Sequence, residues 1–200
     1  MFKRKLSYFL TPVLIVSAAF VVYEQYQDAA TEFVVPIERY SERPKLLTFG
    51  LYVTPDPEQN PIDPPERFIG YHTALDLEIF EEEQEKEVPI YAACDGQVIF
   101  AQSTEGYGGI IIQSCQLKNQ PVTVLYGHID PDSFQTHVDN FVKRGDKIAL
   151  LAQANSAGSG FNRKHLHFSI HKGAEIKTLG YVQTKEELTD YIDPITVLSN

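Results

Sequence analysis

The sequence predicts an all-β, mostly antiparallel domain of two sheets with a groove. Three observations carry that prediction. Short β-branched or aromatic runs recur between turn signals, no long amphipathic helical period is visible, and a single capping box, Thr184-Lys185-Glu186-Glu187, marks one short C-terminal helix. The runs fall at residues 73–79, 96–101, 110–114, 122–129, 147–152, 165–171 and 176–181. An earlier one, LLTFGLYV at 46–53, is followed by a loop from 55 to 65 that five prolines keep extended.

Ahead of these strands the chain opens MFKRK and then runs uncharged from Leu6 to Tyr23. A basic start followed by such an apolar stretch is an export signal, and its length suits a retained membrane helix better than a cleaved signal core. Residues 1–23 are therefore expected to be a signal anchor or signal peptide, with Ser17-Ala18-Ala19 as the place for cleavage. Lys3, Arg4 and Lys5 predict a cytoplasmic N-terminus and an extracytoplasmic body, single-pass in the cell membrane or secreted if cut. Residues 24–44 are polar, lack a period and contain Pro36 and Pro44, which suggests a linker. The folded domain is expected over 45–200.

Of 200 residues, 43% are hydrophobic and 22% charged, which suits one soluble core behind the N-terminal segment. The net charge is −10 although three basic residues cluster at the start, so the body is more acidic than the whole. Nucleic acid is excluded as a partner, because a phosphate-binding face needs clustered Lys and Arg and the body has no such run. The acidic stretch Glu81, Glu82, Glu83, Glu85 and Glu87 reads as a solvated loop.

Cys94 and Cys115 are the only cysteines, and an exported body permits disulfides. If Ala101 pairs with Gly109 across the GYGG turn at 106–109, Cys94 comes within about one residue of opposite Cys115, and a cross-strand disulfide is open. Two separate buried thiols are the alternative, since sequence does not fix register. Neither has the CxxC spacing of a metal pair.

Five of six histidines fall in three clusters: YHTALD at 71–76, YGHID at 126–130 and HLHFSIH at 165–171. His72 and Asp76 are four residues apart, and His165 and His167 two apart, so on extended chain each pair leaves one face. Two imidazoles and a carboxylate are a common ligand set of catalytic zinc, which keeps a fourth position for water. A lone histidine is more often structural; three such motifs together are hard to leave buried without a purpose.

These residues resemble the lysostaphin-type (LytM-like) zinc peptidoglycan endopeptidases. The resemblance runs from about Phe49 to the end through HTALD at 72–76, VPIYAACDGQVIFA at 88–101, GYGGIIIQ at 106–113, LYGHID at 125–130, VKRGDKIAL at 142–150, HLHFSI at 165–170 and YIDPITVL at 191–198. It implies a Zn2+ held by His72, Asp76 and His167, with His128 and His165 as the non-ligand catalytic pair and peptidoglycan peptides as substrate. A catalytically silent relative that activates another wall hydrolase is the rival reading. Ala74, Gly127, Arg163-Lys164 and Ser169 depart from the commonest wording of the family, where Gly, Ala, Gly-Pro and Glu are frequent. Arg163 and Lys164 are expected to add positive charge at the groove rim. His171 continues the face of His167, as an exposed strand-end residue or a partner behind the ligands, and His137 reads as surface.

Overall fold

The computed structural model describes residues 33–63 and 66–198. The helix and signal expected over 1–23 lie outside them, and among the described residues no helix is long and apolar enough to cross a membrane. The strands are β1 (Tyr52–Val53), β2 (Gly70–His72), β3 (Ala74–Glu78), β4 (Pro89–Tyr91), β5 (Gly96–Thr104), β6 (Gly108–Leu117), β7 (Gln120–Ile129), β8 (Phe141–Val142), β9 (Lys147–Leu150), β10 (His165–Lys172), β11 (Tyr181–Val182) and β12 (Tyr191–Ile192), with the helix α1 at Lys185–Leu188.

The main sheet runs β12-β10-β7-β6-β5-β8, and β3 also pairs with β10. Smaller sheets are β1-β2-β11 and β4-β9, so the described residues form a mostly β, antiparallel fold of three sheets instead of the expected two. The extra division comes at Thr73. Its N–H donates to Gly180 O at 3.0 Å and its hydroxyl to Leu179 O at 2.8 Å, which turns the chain from β2 of a small sheet into β3 of the main one.

The long hairpin β6–β7 sets the frame. Lys118 and Asn119 connect its strands with φ of 50° and 62°, the left-handed pair that a tight two-residue hairpin requires. Alternation then sorts the side chains. Leu166, Phe168 and Ile170 of β10, Leu75 and Leu77 of β3, and Val122, Val124 and Tyr126 of β7 join one buried cluster. Each large apolar side chain buried there stabilises the fold by about 1.5–3 kcal/mol. The intervening residues of β3 and β10, among them Asp76, Glu78, His165 and His167, are buried polar groups on the opposite face. His128, which shares the parity of Tyr126, joins them only because the β6–β7 register shifts at this residue, where φ is 61°.

Several expected boundaries shift. Residues 33–44, read as a linker, pack on the domain: Phe33, Ile37 and Tyr40 enter the main core, Val34 N–H donates to Ala93 O at 2.8 Å, and Tyr91 N–H to Pro36 O at 2.8 Å. The packed body therefore begins at least twelve residues before position 45. An irregular segment buries apolar groups without a period, which is why its sequence looks like spacer. Only Tyr52–Val53 of the 46–53 run and Tyr181 of the 176–181 run are strand; Gly50, at φ 78°, breaks the first.

Cys94 and Cys115 form a disulfide with Cα atoms 6.1 Å apart. The hairpin register behind that expectation differs, since Ala101 faces Ile111 and Gly109 faces Ser103. Cys94 lies before β5, off the ladder, so the bridge does not depend on the assumed pairing. Helix α1 has the expected box: Thr184 Oγ1 accepts from Glu187 N–H at 3.1 Å, and Glu187 Oε2 accepts from Thr184 N–H at 3.0 Å. The acidic run is mostly exposed, but Glu83 is held by buried Arg43 at 2.7 Å.

Candidate metal centre

His72, Asp76 and His167 converge from three strands, although His72 and Asp76 belong to different sheets and not to one continuous strand. Cross-strand register sets the pairing, with Asp76 directly opposite His167 on one edge of β10 and Gly127 opposite it on the other. His72 Nε2 lies 3.2 Å from His167 Nδ1 and 3.3 Å from Asp76 Oδ1, and His167 Nδ1 lies 3.1 Å from that same oxygen. Donors bound to one tetrahedral zinc at about 2.0–2.1 Å stand roughly 3.3–3.4 Å apart. The donor triangle therefore fits such an ion.

Each of the three side chains has a second polar atom, and each of those atoms has a partner. His72 Nδ1 is 3.3 Å from Thr48 O, His167 Nε2 is 3.2 Å from the Tyr107 hydroxyl, and Asp76 Oδ2 accepts from Arg163 Nη2 at 2.5 Å. Such contacts fix ring tautomer and orientation. Tyr107 reaches its place because Gly127 and Gly180 leave room: a Cβ at Gly127 would meet its ring at 2.7 Å, and one at Gly180 its hydroxyl at 2.6 Å. The departure at Gly127 thus makes space for a neighbour of His167.

His128 and His165 stand beside this triangle with ring centroids 4.4 Å apart. His128 Nδ1 contacts the carbonyls of Tyr107 at 3.0 Å and Ser159 at 2.8 Å. Carbonyls only accept, so Nδ1 carries the proton and Nε2 is left with its lone pair. His128 adopts φ 61°, a left-handed conformation costly for a residue with a Cβ and frequent at functional positions. His165 Nδ1 donates to Arg163 O at 3.0 Å by the same reasoning, and its Nε2 lies 3.3 Å from Asp76 Oδ2.

Burial and charge order the protonation states. Burial drives His128 well below the ordinary histidine range, with His165 and His167 adding to the effect. Burial pushes His167 down to about 4 against the pull of Asp76. For Asp76 burial acts upward, but His72, His165 and hydrogen bonds from His165 and His167 outweigh it and hold the carboxyl well below the usual carboxylate range. Buried Tyr107 is raised well above the usual phenol value. At neutral pH the group His72, Asp76 and His167 offers one carboxylate and at least one neutral imidazole, the forms that bind a metal.

An open groove of about 290 Å³ exposes the site between Phe68, Glu105 and Tyr107 on one part of its wall and Leu179, Tyr181 and Gln183 on another. Arg163 and Lys164 do not add charge to its rim as expected. Arg163 turns inward among Glu66, Asp76 and Glu78, and buried Lys164 donates to the carbonyls of Glu83, Gln84 and Lys86 at 3.0, 3.1 and 2.7 Å. His171 is buried rather than exposed. It packs edge-on to Tyr191 with centroids 5.1 Å apart, outside the metal-binding group. His137 is exposed. Sequence reasoning noticed positions 127 and 163 without their meaning, and missed Tyr107, whose only signal was its place in GYGG.

Strands of two sheets thus gather two imidazoles and a carboxylate beside an open groove, a group that could hold a metal ion. The chain belongs to peptidase family M23, whose profile matches residues 70–179. No curated protein sequence matches it. Among solved structures it is similar in fold to the catalytic domain of the antimicrobial peptidase lysostaphin from Staphylococcus simulans, at 16% identity and TM-score 0.53 over 78% of this chain and 92% of that one. Against whole lysostaphin the identity is 17% and the TM-score 0.53, over 85% of this chain but only 54% of that one. A chain of the SpoIIQ–SpoIIIAH pore forming complex matches at 13% identity and TM-score 0.56, over 85% of this chain and 92% of that one.

Proposed function

We propose that this chain is an extracytoplasmic zinc metalloendopeptidase that hydrolyses peptide bonds in the stem peptides or cross-links of peptidoglycan. The observation that carries the reading is the donor triangle of His72, Asp76 and His167, with edges of 3.1–3.3 Å, beside two further histidines in an open groove. A zinc ion held by those three side chains supplies Lewis acidity, polarising a peptide carbonyl and lowering the pKa of water toward about 7.

The remaining work falls to the chain's own groups. His128, neutral and with Nε2 unprotonated, accepts a proton during attack on the carbonyl and returns it to the departing amine. His165, the second of the proposed catalytic pair, is held through Nδ1 by the Arg163 carbonyl and flanks the same space beside His128. Phe68 and Tyr181, stacked at 5.3 Å between centroids, give the groove an apolar wall that limits water. The Cys94–Cys115 disulfide supports an oxidising compartment, and the basic-then-apolar N-terminal sequence supports export with a membrane tether.

The second reading, a silent relative that activates another wall hydrolase, draws on the occurrence of this fold in a pore forming complex. One experiment separates the two: zinc content and peptide release from isolated cell walls, measured on the purified full chain and on His167→Ala and His128→Ala. An active enzyme loses metal and release in the first variant, and release alone in the second. Zinc-loaded wild type that frees no peptide from walls of any cross-link type supports the activator, and wild type without zinc rejects both.

A further inference from the structure

We propose that Arg163 is a positioning residue that makes Asp76 a one-oxygen ligand and ties that ligand to Glu66, the residue after the proline-rich loop. The proposal rests on the reading of His72, Asp76 and His167 as metal ligands and extends it to a group outside the set.

The guanidinium is placed between three carboxylates. Nη2 donates to Asp76 Oδ2 at 2.5 Å, Nε to both oxygens of Glu78 at 3.0 and 3.1 Å, and Nη1 to Glu66 Oε1. Glu66, Asp76 and Glu78 are all buried, so each needs compensation for lost water. One planar fork supplies it to all three, which an ammonium on a flexible stem could not do. The three carboxylates and one guanidinium sum to two negative charges, and a divalent cation at the adjacent triangle would bring the cluster to neutrality.

The consequence for Asp76 is directional. With Oδ2 taken by Arg163 and lying 3.3 Å from His165 Nε2, Oδ1 is the oxygen turned to His72 Nε2 and His167 Nδ1. Rotation of the carboxylate to offer both oxygens to a metal would break the Arg163 contact. Glu66 closes the chain of contacts, because it begins the described residues after the 55–65 loop, and Arg67 beside it donates to Gly160 O at 2.5 Å. Glu66, the residue after that loop, is thus joined to the ligand through one side chain.

A counter-effect runs the other way. A cation beside a metal site repels the metal, so an Arg163 that only competed for Asp76 would weaken binding. The sign of the change on removing Arg163 decides between positioning and competition. The test measures zinc affinity by chelator competition, and the absorption spectrum of the cobalt-substituted site, for the full chain and for Arg163→Gln, Arg163→Lys and Glu66→Gln. Positioning predicts zinc affinity about 10–100-fold weaker in Arg163→Gln, the range for loss of a ligand's outer partner, with an altered cobalt spectrum. It predicts partial recovery in Arg163→Lys, which can still donate to Asp76, and a smaller loss in Glu66→Gln.

Equal or tighter zinc binding in Arg163→Gln with an unchanged cobalt spectrum overturns the proposal while leaving the metal site standing. If Arg163→Gln does not fold, Arg163→Lys and Glu66→Gln decide: wild-type affinity and spectrum in both overturn it, and a loss in either upholds it. Wild type that binds neither metal overturns it together with the proposed function.

Discussion

The two ends of β10 carry histidines on one face and use them differently. His165 and His167 lie where β3 flanks the strand, and every ring nitrogen there has a polar neighbour. His171, four residues on, lies where β12 replaces β3, opposite Tyr191, and its buried Nδ1 has no hydrogen-bond partner. Residue type, face and burial are shared; the opposing residue is not. His167 belongs to the candidate metal-binding group because Asp76 stands across from it, while the aromatic ring opposite His171 leaves an imidazole outside that group.

The largest break of that contrast is His167→Ala, which removes a donor. Zinc affinity should fall by more than the roughly 10–100-fold that loss of an outer partner costs, with peptide release at background, measured by chelator competition and cell-wall assay. His128→Ala should retain zinc while release falls about 10²–10⁴-fold, the usual share of a general base. Tyr107→Phe takes away the acceptor for His167 Nε2–H and should weaken zinc binding about tenfold with the ring still packed between Gly127 and Gly180.

A pH series on the metal-stripped chain sharpens the same comparison. His167 titrates near 4 in the fold against about 6.5 unfolded, so below 6.5 the unfolded chain binds the extra proton. Its contribution to stability is complete above about pH 6.5, declines as pH falls and levels off below about 4, and the denaturation midpoint should follow that course. The smallest effect belongs to His171→Leu: release within about twofold of wild type, and stability unchanged or up by about 1 kcal/mol, because the unpaired buried nitrogen is gone. A large loss of release in that variant would break the contrast.

Much of this was legible from residues alone. Alternation in ALDLE and HLHFSIH separates core positions such as Leu75, Leu77, Leu166 and Phe168 from polar ones, because the side-chain period of a strand is local. The capping box around Thr184 was legible for the same reason. Residues 33–44 were not, since Phe33 and Ile37 are buried from an irregular backbone with no period to read. Neither was the inward turn of Arg163, whose three carboxylate partners come from the end of one loop and from a neighbouring strand.

By itself the sequence determined an antiparallel β architecture and a short list of imidazoles and carboxylates sharing strand faces, both of which depend on covalent spacing. Tertiary structure alone decided which of them meet. Thr73 moves the chain between sheets so that His72 approaches Asp76 from another sheet, the β3–β10 register sets Asp76 against His167, and β12 gives His171 to Tyr191. Parity along a strand is written in neighbouring residues, whereas the partner across it is chosen by the packing of segments far apart in sequence, 91 residues for His167 and Asp76.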